Sequence, residues 1–186
     1  MTIYVALLRG INVGGKNRIK MADLKLAFEN IGLKKVQTYI QSGNVLFESN
    51  QEEEQLRQLI EDKLEDAFGF SIPVILRTSM ELEEIIYNCP FSEEEMREAQ
   101  SASKAESLYV GLLVQPPSED RILQLNDYKS KTEQFKIIGR DSYLLFYNSI
   151  RNSKLANNLY RLNVLMTTRN WKTITKLVQL AKLIDR

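Results

Sequence analysis

Three short blocks of this sequence gather side chains and amides suited to holding a negatively charged group. The first is Arg9-Gly10-Ile11-Asn12-Val13-Gly14-Gly15-Lys16-Asn17. It follows an apolar run and precedes helical spacing, as a phosphate loop does where glycine amides meet an anion. Its G-x-x-x-x-G-K spacing approaches the Walker A pattern but departs from it. Asn17 stands where Ser or Thr would hold magnesium, helical spacing starts only near Met21, and Glu48 is a poor substitute for a strand-terminal aspartate. Nucleotide hydrolysis is therefore not expected. Two readings stay open: an anion cradle of glycine amides with Arg9, Lys16 or Arg18, or a tight turn that needs its glycines for positive φ.

The second block is Gln41-Ser42-Gly43-Asn44, a turn between two short strands, with Tyr39 at the end of the strand before it. In a split βαβ sheet the first strand ends on the edge where the second turns into the third. That edge would gather Arg9, Asn12, Lys16, Tyr39, Gln41, Ser42 and Asn44, rich in donors and without an acid. The alternative is that Asn and Gly serve turn geometry alone. The third block is Thr168-Arg169-Asn170-Trp171-Lys172-Thr173. Arg169 with the Trp171 ring could hold a phosphate and stack a base, while Asn170 as N-cap and Trp171 as a packed anchor is the structural reading. The candidate ligand-binding set is thus Arg9, Gly10, Asn12, Gly14, Gly15, Lys16, Tyr39, Gln41, Ser42, Asn44, Arg169, Asn170 and Trp171.

Composition narrows the chemistry. The 186 residues include no histidine and one cysteine. Histidine-assisted nucleophiles, His-containing metal sites, an internal disulfide and a thiolate zinc site are thereby excluded. Cys89 has no histidine to activate it. The acids at 52–54 and 93–95 read as helix starts that favour the dipole, so no metal and no cofactor is expected. No run approaches the roughly 20 apolar residues of a membrane span, and a single cysteine suits a reducing cytoplasm. The net charge of +1 hides +4 over residues 1–50, −10 over 51–100, 0 over 101–150 and +7 over 151–186. If the basic ends meet, one face attracts anions.

The elements that must position these blocks follow from periodicity. Residues 3–8, 36–40, 45–47 and 72–76 read as strands. Met21, Leu24, Phe28 and Ile31, then Leu56, Ile60, Leu64 and Phe68, mark two helices, the second with a capping box from Asn50 to Glu53. The order is βαββαβ, followed by a helix begun by Thr78 or Ser79 and a polar stretch over 92–106 suited to a linker or lid. The same order then repeats: strands at 108–114, 135–138, 143–147 and 164–167, helices near Ile122 and from Leu155 to Leu162, and a last helix from Trp171. The expected fold is α+β, two tandem ferredoxin-like (α/β plait) units, each followed by an extra helix. The expected division is 1–78, 79–106 and 107–186. An RNA-recognition platform needs a basic-Gly-aromatic pattern on its third strand. Asn44-Val45-Leu46-Phe47-Glu48 and Ser142-Tyr143-Leu144-Leu145-Phe146 lack it, so nucleic acid is not expected.

Leu8-Arg9-Gly10-Ile11-Asn12-Val13-Gly14-Gly15, Thr38-Tyr39-Ile40-Gln41-Ser42-Gly43-Asn44-Val45 and Thr168-Arg169-Asn170-Trp171-Lys172-Thr173 together resemble the hallmark blocks of the bacterial family catalogued as domain of unknown function 1697. The resemblance spans essentially the whole chain. It implies a cytoplasmic protein of two α/β-plait units and no established activity, so no catalytic residue carries over. The expected function is binding of a small anionic or phosphorylated ligand at the glycine-rich loop and the adjacent turn, with catalysis left open. A nucleic-acid or protein interaction module, or a homo-oligomeric scaffold without catalysis, is the alternative. A membrane partner is not expected, and nothing in the residues indicates an oligomer.

Overall fold

The computed structural model describes residues 1–184. The first half runs β1 (Thr2–Leu8), α1 (Met21–Asn30), β2 (Lys34–Tyr39), β3 (Asn44–Ser49), α2 (Glu53–Phe68), β4 (Val74–Thr78) and α3 (Ser79–Tyr87). The second runs α4 (Glu93–Ala102), β5 (Leu108–Leu113), α5 (Glu119–Asn126), β6 (Glu133–Ile138), β7 (Asp141–Phe146), α6 (Lys154–Asn158), β8 (Met166–Asn170) and α7 (Trp171–Ile184). The strands form two four-stranded sheets, ordered β2-β3-β1-β4 and β6-β7-β5-β8. Every neighbouring pair is antiparallel. The fold class is α+β. Among the described residues no helix is long and apolar enough to cross a membrane.

Two compact units divide the chain: Met1–Glu84 with the chain from Thr175 onward, and Ile85–Ile174. In the first, Tyr4, Ala6 and Leu8 of β1 meet Leu24 and Phe28 of α1 and Leu56, Ile60 and Leu64 of α2. These are the apolar positions a 3.6-residue period selects. In the second, Leu113, Leu144 and Phe146 face Leu125, Leu155, Leu159 and Leu162. The last helix belongs largely with the first unit, where Lys182 pairs with Glu83 at 3.1 Å and Lys35 Nζ donates to the Ile184 carbonyl at 3.1 Å.

Several local expectations are corrected. The stretch expected as a linker or lid holds α4, whose Ser92 hydroxyl accepts from the Glu95 amide while Glu95 accepts from the Ser92 amide. This reciprocal capping lets a glutamate-rich segment start a helix. The capping box expected at Asn50 is absent: α2 has Glu52 at its N-cap with no side-chain bond. Thr78 and Glu81 make such a box at α3 instead. The closing strand of the second unit lies at Met166–Asn170, shifted from 164–167. The helix expected from Leu155 to Leu162 is split into α6 and a short 3-10 turn, which ends on Asn163 at φ 54.

Candidate functional site

The glycine loop is a folded object in its own right. At the end of β1, the Leu8 amide donates to the Gly43 carbonyl at 2.8 Å and the Arg9 amide to the Pro73 carbonyl at 2.9 Å. Residues 13–16 form a tight reversal: Lys16 N donates to Val13 O at 3.1 Å, with Gly14 at φ 59 and Gly15 at φ 75. Two consecutive positive φ values are what a primed turn demands. Asn12 clasps the loop. Its Oδ1 accepts from Ile19 N at 2.8 Å, while Nδ2 donates to Ile19 O at 3.0 Å and Gln41 O at 2.9 Å. Asn17 Nδ2 donates to Gly10 O at 3.1 Å, and Asn12 N donates to Asn17 O at 3.1 Å. The loop and the hairpin turn are therefore neighbours, as the split-βαβ reading required.

That same bonding separates the loop from a phosphate loop. Two of its amides, Asn12 and Lys16, are spent within it. The helix it leads to starts at Met21, five residues after Lys16, so Lys16 does not sit at a helix N-terminus. Asn44 is fully buried, and its amide donates to Tyr39 O at 2.9 Å and Ser42 Oγ at 3.1 Å. It holds the turn. Gly43 is held at φ 81, and a Cβ there would lie 2.6 Å from Ile11 Cδ1.

The open space lies beside the loop. A cleft of about 670 Å³ is lined by Asn12, Gly15, Arg18, Ile19, Lys20, Met21, Asp23, Gln41 and Phe68. Of the sequence candidates, Asn12, Gly15 and Gln41 reach it. Arg9, Gly10, Gly14, Lys16, Tyr39, Ser42 and Asn44 are not part of the wall, nor are Arg169, Asn170 and Trp171. The cations of the cleft are Arg18 and Lys20, both exposed. Lys20 is the N-cap of α1 and makes no side-chain cap bond, and Leu24 N is bonded back to Lys20 O at 3.0 Å. The first-turn amides of α1 therefore carry the partial positive charge of a helix start, roughly half an elementary charge. Among the described residues Asp23 is the only carboxylate of this wall. Ile19, Met21 and Phe68 add apolar surface to the same lining. Sequence reasoning named Arg18 but missed Ile19, Lys20, Met21, Asp23 and Phe68. A lysine just before the first periodic residue of α1 was the one available signal.

The third block lies in the second unit and is largely internal. Arg169 is 7% exposed; its Nη1 donates to Thr167 Oγ1 at 2.9 Å and Thr168 O at 3.0 Å. Burial pulls its guanidinium down to about 10. Asn170 Oδ1 accepts from Thr173 N at 2.8 Å, capping α7. Trp171 is half-buried. Arg77, which sequence reasoning overlooked, holds the matching place in the first unit. Arg77 faces Val5 and Arg169 faces Val110, each at the fourth position of a closing strand, and Arg77 is fully buried. The repeated signal was an arginine one residue before a helix-capping Thr or Asn.

The acids at 53–54 and 93–95 occupy first helical turns. Among the described residues no group of three or more Cys, Asp or Glu is placed to hold a metal ion. Cys89 is half-buried, and burial pushes its thiol up, away from the reactive thiolate.

Comparison with known proteins agrees with this architecture and names no chemistry. A family model described as a protein of unknown function (DUF1697) matches residues 1–143. No curated protein matches the chain. Among solved structures, the conserved bacterial protein SP0830 from Streptococcus pneumoniae is similar: 28% identical, with a TM-score of 0.74 over 97% of this chain and 98% of that one.

Proposed function

This chain belongs to the DUF1697 family, whose members are of unknown function, and from its own geometry we propose that it binds a small phosphorylated ligand in the cleft of its first unit. The observation that carries this is that Arg18, Lys20 and the start of α1 line the same cleft as the apolar Ile19, Met21 and Phe68. Two cations against Asp23 leave a net charge of +1, to which the helix start adds roughly half a charge. A phosphate fits the two cations, and a ring or short apolar moiety fits the apolar residues of the lining. Such sites are commonly apolar with a few placed polar groups, as here. The Asn12 clasp and Gln41 give the wall its shape, and Arg18 and Lys20 of the same connection give it charge.

Each unit is read as ferredoxin-like, a reading supported by the βαββαβ order and the shared 2-3-1-4 strand arrangement. The free Cys89 suits a reducing, cytoplasmic setting. The reading favours binding over proton-transfer chemistry, because no histidine exists and the wall offers one exposed carboxylate.

The test is thermal unfolding with inorganic phosphate, nucleotides and sugar phosphates at fixed ionic strength. A ligand at about 100 times its Kd stabilises by about 2.7 kcal/mol, a readily measured rise in Tm. Arg18→Ala with Lys20→Ala abolishes the rise, and Arg9→Ala leaves it unchanged. If none of these compounds raises Tm, the proposal is wrong. A second reading has its own support: Arg9, Lys16, Arg18 and Lys20 are all exposed on one acid-free stretch. Binding of single-stranded RNA or DNA that falls steeply with salt would favour it.

A further inference from the structure

The two units differ at the tyrosine of their central strand. Tyr4 and Tyr109 occupy equivalent places: Tyr4 faces Phe47 and Thr78, and Tyr109 faces Leu144 and Asn170. Each ring packs against a phenylalanine, Tyr4 on Phe47 and Tyr109 on Phe146, both at 5.9 Å between centroids. Four residues beyond the facing residue of β3 comes Gln51, and four beyond that of β7 comes Asn148. In the first unit the Gln51 carbonyl accepts from the Tyr4 hydroxyl at 3.1 Å. In the second, Asn148 and Tyr109 instead line a cavity of about 580 Å³. Among the described residues no protein group accepts from the Tyr109 hydroxyl.

Charge makes this cavity selective. Its wall carries two cations, Lys104 and Arg151, and the half-buried Glu106. Burial first, then Glu106, raises the Tyr109 phenol above its ordinary value, and Arg151 lowers it. A ligand that matches this wall carries two negative groups and one positive one. A phosphate dianion would match the cations and be repelled by Glu106, whereas an ammonium next to a carboxylate satisfies all three. An arginine fork suits a carboxylate by two parallel hydrogen bonds. The volume lies within the usual range for small-molecule sites.

We propose that the second unit binds a small amino-carboxylate in this cavity, the charge-matched form being an acidic amino acid. Arg151 and Lys104 take its carboxylates, Glu106 takes its ammonium, and Tyr109 donates its hydroxyl to a carboxylate oxygen. The site is independent of the cleft in the first unit, so either proposal can fail without the other.

Titration calorimetry of the full chain with L-glutamate, succinate, glycine and inorganic phosphate tests it. Glutamate binds more tightly than the other three. Arg151→Ala weakens glutamate by about tenfold or more, the loss of one charged hydrogen-bonded contact. Glu106→Gln removes the preference for glutamate over succinate, and Tyr109→Phe weakens glutamate by a smaller factor. Tyr4→Phe, at the equivalent place in the first unit, leaves glutamate binding unchanged. Lys104 and Arg151 are exposed, so their variants fold, which circular dichroism verifies. Absence of glutamate binding overturns the proposal. So does succinate binding as tightly as glutamate, or affinity unaltered in both Arg151→Ala and Glu106→Gln.

Discussion

The two units share strand order, the register of the central strand with its two neighbours and a buried arginine near the end of the closing strand, yet they spend their connections differently. Between β1 and α1 run residues 9–20; between β5 and α5 run only 114–118, two of them Pro116 and Pro117. The long connection is rigid because Asn12 and Asn17 tie it, and it makes one wall of the first cleft. In the second unit the open space lies instead around Tyr109 and residues 148–151, where the first unit closes with Gln51. The sheet interiors differ as well. Ala6, Val45 and Leu76 stand side by side in the first sheet, and Gly111, Ser142 and Thr168 in the second. One scaffold therefore carries two unlike cavities, and the difference lies in loops and in a few cross-strand triplets.

Hairpin glycines break the comparison most sharply. Gly43 lies at φ 81 under Ile11, whereas Gly139, in the equivalent turn, lies at φ 58 with nothing within 4 Å of a Cβ. Gly43→Ala is expected to lower stability by about 3 kcal/mol, strain and overpacking together, and Gly139→Ala by about 1 kcal/mol. Urea denaturation measures both, and equal losses would remove the distinction. Next comes Asn12→Ala, which deletes three hydrogen bonds of a clasp the second unit lacks. It costs about 2 kcal/mol in urea unfolding, and the thermal shift by phosphorylated compounds falls with it.

Tyr143 sharpens the contrast through pH. Its hydroxyl donates to the Ile85 carbonyl at 2.8 Å, while the equivalent residue of the first unit is Leu46. Burial, then Asp141 and Cys89, holds the phenol well above its ordinary value of 10.0. The folded chain keeps this proton where the unfolded chain loses it. Its stabilising contribution is thus complete below pH 10 and is lost as pH rises beyond. Tyr143→Phe costs about 1.5 kcal/mol at neutral pH and flattens the alkaline decline. Arg169, pulled down to about 10, acts in the opposite direction over that range. The difference between wild type and variant, rather than either curve, isolates the tyrosine. The smallest effect is a gain. Ser142 Oγ is buried without a hydrogen-bond partner, so Ser142→Ala should stabilise by about 1 kcal/mol, visible as a rise in Tm.

Much of this was legible from residues alone, and the reason is local. Both βαββαβ orders follow from the 2.0- and 3.6-residue periods, since each apolar position must face its own unit's core. The adjacency of the glycine loop and the turn at 41–44 follows from strand order. The helix at 93–102 escaped because its hydrophobic signal is weak, with Ala99 its one buried residue, and its start depends on a capping pair. The shift of the last strand to Met166–Asn170 escaped because Thr167 and Arg169 are polar residues buried by their neighbours.

The sequence by itself determined the α+β class, the repeated order, and a chemistry restricted to arginine, lysine, asparagine, tyrosine and carboxylates by the absence of histidine. Only the tertiary structure decided which of those residues share a space. Arg9 and Lys16 belong to the same loop as Arg18 and Lys20, but the turn at Gly14 and Gly15 and the Asn12 clasp direct the latter pair into the cleft wall. The division between Tyr4, satisfied by Gln51, and Tyr109, open to a cavity, is equally invisible in one dimension. Propensity is a property of neighbours along the chain. A site is a property of neighbours in space, set by positive φ values, clasps and loop lengths that no period encodes.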